Sequence, residues 1–195
     1  MKRILFVLLT LAVVVSAQNS VRIFGGVNVG NVIWNDEDLQ EELNPQPILG
    51  IDAGIEKPFG KLLLGAHYVQ RGMTVEDYPG DGIDISMTMN YVNGFAAFLI
   101  LPPESTLNFF IGGEVGKFLN GETKIEYESE SETEDIDDED VNIDYGALAG
   151  VNIWISKTLG IRGSYYYGLN NIDDVDEDDY TGKHHGLELQ LSLSF

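Results

Sequence analysis

Eight ionisable residues, Arg22, Asp52, Glu56, Arg71, Glu114, Asp144, Arg162 and Glu188, fall on the polar side of segments in which apolar and polar side chains alternate. A period of two sends successive side chains to opposite faces of an extended strand, so all eight point away from the apolar face. Gathered into a narrow interior, ions of both signs must pair, because an unpaired buried charge costs several kcal/mol. Two kinds of chemistry fit the set. One is a salt-bridge network that fills the interior, and the other is the constriction of a gated pore lined by the same groups. Alternation alone does not say which charges meet across strands.

Two other groupings invite chemistry. Asp174, Asp176 and Asp178 offer oxygen ligands at alternate positions, as calcium loops do. Asp179, however, stands where the EF-hand turn needs glycine, so the spacing fits diffuse calcium or magnesium binding along an acidic loop better than a discrete site, and no cofactor is expected. Nucleophilic catalysis would need a serine, a histidine and a carboxylate converging on one surface. Ser164 and Ser192 are the candidate nucleophiles. His67 lies on the polar face of its segment, whereas His184 and His185 open the last alternating one. No local motif joins these residues, so no catalytic residue is assigned and the chain is not read as an enzyme.

The elements that must position these side chains are strands. In the last segment Leu187, Leu189, Leu191, Leu193 and Phe195 alternate with Glu188, Gln190, Ser192 and Ser194. The same rhythm marks seven earlier segments, over 21–33, 48–56, 62–73, 83–101, 107–116, 141–155 and 161–169. On their apolar face lie Tyr68, Tyr91, Phe109, Tyr145, Tyr165 and Tyr167, and in the strand over 83–101 that face is read as Ile83, Ile85, Met87, Met89 and Tyr91. The polar faces are rich in glycine. The connections alternate long and short. The four long ones, 35–47, 74–82, 120–140 and 170–182, hold 25 of the 32 acids, whereas the short turns carry Lys57, Lys61 and Lys157. In an up-and-down antiparallel barrel alternate connections emerge at opposite ends, so one end is a long acidic mouth and the other a short basic base. Outer-membrane barrels sort their loops in this way, and soluble sandwiches do not. The segment Glu122 to Asp140 reads as a solvated, repulsive loop without order, and Asn93-Gly94 reads as a bulge.

Composition narrows the partners. The formal charge is −21 and the chain has no cysteine. Such a surface repels nucleic acid phosphates, and thiolate chemistry and disulfides are excluded. Met1-Lys2-Arg3 followed by the apolar run Ile4 to Val15 and then Val15-Ser16-Ala17 reads as a secretory signal peptide over 1–17. The remainder, 18–195, is read as one barrel domain. After Ala17 no apolar run approaches the ~20 residues a spanning helix needs, so a membrane would be crossed by strands.

These features resemble the small outer-membrane β-barrels of Gram-negative bacteria, the group of the OmpA transmembrane domain, OmpX and the porin-like barrels of Bacteroidetes. The C-terminal alternating strand ending in Phe195 is similar to the signal that the barrel-assembly machinery reads. The resemblance implies an all-β, eight-stranded up-and-down antiparallel transmembrane β-barrel in the outer membrane, monomeric, with both termini periplasmic. It implies membrane lipids and lipopolysaccharide as surroundings and the assembly machinery as a partner. The expected role is structural, surface-interacting or cation-binding. A narrow cation-preferring porin is the first alternative, and a soluble periplasmic lipid-binding barrel, apolar inside and polar outside, is the second.

Overall fold

The computed structural model describes residues 20–34, 41–42, 44–57, 60–78, 82–100, 105–127, 130–137, 141–172 and 182–195. The expected leader over 1–17 and the loop bearing Asp174, Asp176 and Asp178 lie outside the described residues. The described residues form ten strands: β1 (Ser20–Trp34), β2 (Glu41–Glu42), β3 (Asn44–Lys57), β4 (Gly60–Tyr78), β5 (Ile83–Leu99), β6 (Leu107–Glu126), β7 (Ser131–Asp135), β8 (Asp144–Trp154), β9 (Leu159–Gly168) and β10 (Gly182–Ser194).

Every pairing is antiparallel. The order β4-β3-β1-β10-β9-β8-β6-β5 is closed by the β4–β5 pairing, so eight strands make a ring and β2 and β7 lie outside it. Closure leaves no open edge, which a sheet immersed in lipid requires because hydrocarbon offers the backbone no hydrogen bonds. The first and last strands of the ring meet over a long register, from Arg22↔Ser194 to Trp34↔Gly182. The Phe195 amide donates to the carbonyl of Val21, at 2.9 Å.

The exposed surface carries the grease. Leu187, Leu189 and Leu191 are about 60% exposed, and Leu49, Ile111 and Val115 likewise stand outward. Arg22, Asp52, Arg71, Glu114, Asp144, Arg162 and Glu188 are all buried. This arrangement is the reverse of a soluble lipid-binding barrel and matches one whose outer face meets hydrocarbon. Tyr68, Tyr145, Tyr165 and Tyr167 are exposed toward the long-loop end, and Phe109 toward the short-turn end. Beside Tyr68 a polar chain marks the upper rim of the apolar band. The Tyr68 hydroxyl and Gln70 both donate to Asn90 Oδ1, and Asn90 donates to Asn120, at 2.7 Å.

Three details differ from the alternation read in the sequence. First, Met89 and Tyr91 point inward and are fully buried, whereas Val92 and Phe98 of the same strand face out. Met89 and Tyr91 lie toward the long-loop end, where the tube interior needs apolar filling and the outer face is no longer fixed by lipid. Met89 and Tyr91 join Val32, Val69 and Phe118 in an internal cluster there. Second, Asn93 and Gly94 pair regularly. The irregularity falls on β6, where Asn90↔Asn120 is followed by Tyr91↔Phe118, so Leu119 is the extra residue. Third, much of the acidic segment expected to lack order is a hairpin. β6 continues to Glu126 and pairs with β7 from Glu122↔Asp135 to Glu126↔Ser131. Thr123 and Ile125 suit a strand, β5 supplies a template on the other side, and Ile136 packs on the internal cluster.

Strand length separates the anchored part from the rest. β8 and β9, with 11 and 10 residues, match the ~9–11 that cross a bilayer. β4 and β6 have 19 and 20, so the sheet β4-β5-β6-β7 continues beyond the apolar band.

Candidate functional site: a filled lumen

The barrel interior is built from aromatic rings laid over glycines and from charges held in pairs. Gly50 and Gly65 are required by close approach: a methyl group on either would stand 2.5 Å from a ring carbon, of Phe24 in the first case and Phe95 in the second. Phe24, Phe95 and Phe110 thereby reach the axis and, with Leu63 and Leu148, pack into one apolar cluster.

Arg162 sits against those rings, its guanidinium carbon 4.8 Å from the centroid of Phe24, 5.6 Å from Phe110 and 5.8 Å from Phe95. Its Nη2 lies 2.5 Å from Asp52 Oδ2, and its Nε donates to Asn152, at 2.9 Å. Arg22 Nε donates to the other oxygen of Asp52, at 2.6 Å. Asp52 thus joins its neighbour strand β1 and the more distant β9. Cation–π contact with several rings compensates part of the guanidinium's lost hydration, and the carboxylate supplies the rest.

A second group lies toward the long-loop end. Arg71 donates through Nη1 to Asp144 and through Nη2 to Glu114, the latter at 2.7 Å. Its guanidinium carbon lies 3.9 Å from the ring centroid of Tyr166, whose hydroxyl donates to Asp144, at 2.7 Å. Asn93 also donates to Glu114, and His184 Nδ1 stands 3.4 Å from Asp144.

Between the two groups is Glu188. Its Oε2 accepts from Ser164 Oγ, at 2.8 Å, and from Gln190 Nε2, at 3.0 Å. His67 lies alongside, its Nε2 3.5 Å from Glu114 Oε1. The gap left among His67, Arg162, Ser164, Glu188, Gln190 and the surrounding apolar side chains is about 10 Å³ for the centre of a water-sized sphere, room for roughly one water.

The ionisable set read from alternation therefore divides. Arg22, Asp52 and Arg162 form one group; Arg71, Glu114 and Asp144 form another; Glu188 stands between. The backbone of Glu56 belongs to β3, and its side chain lies outside the described residues. Alternation did not single out Tyr166, Asn93 or Gln190 as partners, although each sits on the same inward face. The serine and histidine candidates do not form a relay. Ser164 donates to Glu188 directly, whereas a relay needs the histidine between serine and carboxylate. Ser192 and His184 are buried apart from it, and His185 is on the outer face beside Tyr165, with its Nδ1 3.1 Å from the tyrosine hydroxyl.

A family model agrees with this architecture. The outer membrane protein beta-barrel domain family matches residues 16–174. Among curated proteins none matches the chain in sequence. Among solved structures the chain is similar to Neisserial surface protein A, with a TM-score of 0.49, 11% identity, and 91% of this chain and 97% of that one covered. It is similar to Ail, the attachment invasion locus protein of Yersinia pestis, with a TM-score of 0.49, 16% identity and coverage of 91% and 99%. The N-terminal β-barrel domain of Pseudomonas aeruginosa OprF gives a TM-score of 0.46, 12% identity and coverage of 91% and 98%.

Proposed function

The chain belongs to the outer membrane protein beta-barrel domain family and resides in the outer membrane, and on that premise we propose that it is a filled, non-conducting anchor displaying an acidic sheet to divalent cations and basic partners. The observation that carries this reading is the lumen itself. Arg162, tied to Asp52 and ringed by Phe24, Phe95 and Phe110, occupies the space a permeating ion would need. A narrow cation-preferring pore is disfavoured on the same ground. In this reading the long-loop end faces outward, both termini are periplasmic, Phe195 serves as the assembly signal, and lipopolysaccharide surrounds the upper rim.

The outer sheet supports the second half of the proposal. In the β6–β7 hairpin Glu122 is directly opposite Asp135, and Glu126 of β6, whose Oε1 also meets Lys124 Nζ at 2.6 Å, is directly opposite Asp84 of β5. Like charges in direct cross-strand register destabilise a sheet, so a divalent cation or a basic surface that binds there stabilises the folded hairpin. The test is limited proteolysis of the refolded full chain in detergent, with calcium chloride against sodium chloride at matched ionic strength. Calcium should slow cleavage within 122–137, and the triple substitution E122Q/E126Q/D135N should remove the difference. Equal cleavage in the two salts would refute cation binding by the sheet.

A further inference from the structure

The lumenal network leaves a set of acceptors unused. Glu114 commits Oε1 to Arg71 and Asn93, and Glu188 commits Oε2 to Ser164 and Gln190. Glu114 Oε2, Glu188 Oε1, Gln190 Oε1 and both ring nitrogens of His67 have no hydrogen-bond partner, although all four residues are more than nine-tenths buried. Buried polar atoms left without partners are costly. Here several of them converge. Ligand atoms of His67, Glu114 and Glu188 all lie within 4.8 Å of one another.

From this convergence we infer that His67, Glu114 and Glu188 form a divalent metal site inside the barrel, of the zinc class, with Gln190 Oε1 or a water completing the shell. One imidazole nitrogen and two carboxylate oxygens are a donor set that zinc accepts at ~2.0–2.2 Å, which puts neighbouring ligand atoms of a tetrahedral ion roughly 3.4 Å apart. His67 Nε2 stands 3.5 Å from Glu114 Oε1, the oxygen already held by Arg71 and Asn93, so Glu114 would bind through its unused Oε2, and side-chain rotations of Glu114 and Glu188 bring both carboxylates to the ion.

Charge points the same way. In this part of the described lumen Arg71 alone faces three buried carboxylates, Glu114, Asp144 and Glu188. The other two buried arginines, Arg22 and Arg162, are engaged by Asp52. With neutral histidines the group has an excess of two negative charges, which one divalent ion cancels. Uptake of protons by the cluster itself is the competing way to cancel it, and the experiment separates the two.

The full chain, stripped of metal in denaturant, is refolded in detergent with zinc chloride in slight excess. It is then desalted through chelator and its metal is measured by mass spectrometry. Folding is checked on the same samples by the mobility shift between unboiled and boiled protein on detergent gels. The wild type should retain about one zinc per chain, and H67Q and E188Q, both showing the shift, should retain at least tenfold less. Cobalt refolded in place of zinc should give visible absorption bands that H67Q lacks. Wild-type protein that is folded but holds no more zinc than the variants would overturn the site. Should both variants fail to fold, S164A, which keeps all three ligands, must retain zinc, and its loss of the metal together with a wild type free of cobalt bands would equally overturn the site.

Discussion

Arg162 on β9 and Asp52 on β3 meet at 2.5 Å inside the barrel, 110 residues apart in sequence and three strands apart around the ring. Arg71 on β4 and Asp144 on β8 make the corresponding tie on the other side, again three strands apart. The two ties brace the tube from within, so their removal should be felt as loss of barrel stability.

Asp52 should be the more sensitive member of its group. D52N leaves Arg22 and Arg162 without their carboxylate, and removing one partner of a buried ion pair costs about 3–5 kcal/mol. R162M leaves the Asp52–Arg22 pair intact and offers an apolar chain to three rings, so it should cost clearly less. Urea titration of barrel fluorescence in detergent or vesicles checks the order. A larger loss for R162M than for D52N would contradict the assignment.

Glycine at position 65 makes room for Phe95. G65A should lower the refolded fraction, because its methyl group would press on the ring and overpacking costs about 1–3 kcal/mol. The second-site change F95L should recover much of the loss. The readout is the yield of heat-modifiable protein on unboiled gels.

The facing of β5 is open to direct labelling. A cysteine replacing Phe98, which faces outward within the apolar band, should be quenched, once dye-labelled, by spin-labelled lipid, whereas one replacing Tyr91 should react poorly and resist lipid quenching. The reverse pattern would restore the face read from alternation alone.

The outer hairpin should depend on Ile136, which packs on the internal cluster while its neighbours Asp135 and Asp137 are exposed. I136D should increase proteolysis within 122–137 and leave the mobility shift of the barrel unchanged. Loss of the shift would mean that the hairpin and barrel fold as one unit.

These residues show what was legible in the sequence. The alternation from Leu187 to Phe195 read correctly as a strand with one apolar face, and the long and short connections read correctly as the two ends of a ring. The inward set was legible wherever lipid dictates the outer face. It failed at Met89 and Tyr91 because the tube rises past lipid there, and the rule that apolar means outward lapses. The bulge at Leu119 was hidden because Asn120-Gly121 directly after it read as the start of a loop and not as an irregularity within a continuing strand. The hairpin was hidden by its acid density, which outweighed the strand preference of Thr123 and Ile125. Partnerships such as Arg162 with Asp52 were not legible, since alternation gives a face and leaves open which strands confront each other across the lumen.

The central claim is that the lumen is filled. Single-channel recording of the refolded full chain in planar bilayers tests it most directly, in potassium chloride at both polarities. The wild type should give a quiet membrane and R162A should show openings, because the plug at Asp52 and the three rings is cut back. Steady, discrete cation-selective openings of the wild-type protein would contradict it and make the same charged residues the lining of a pore.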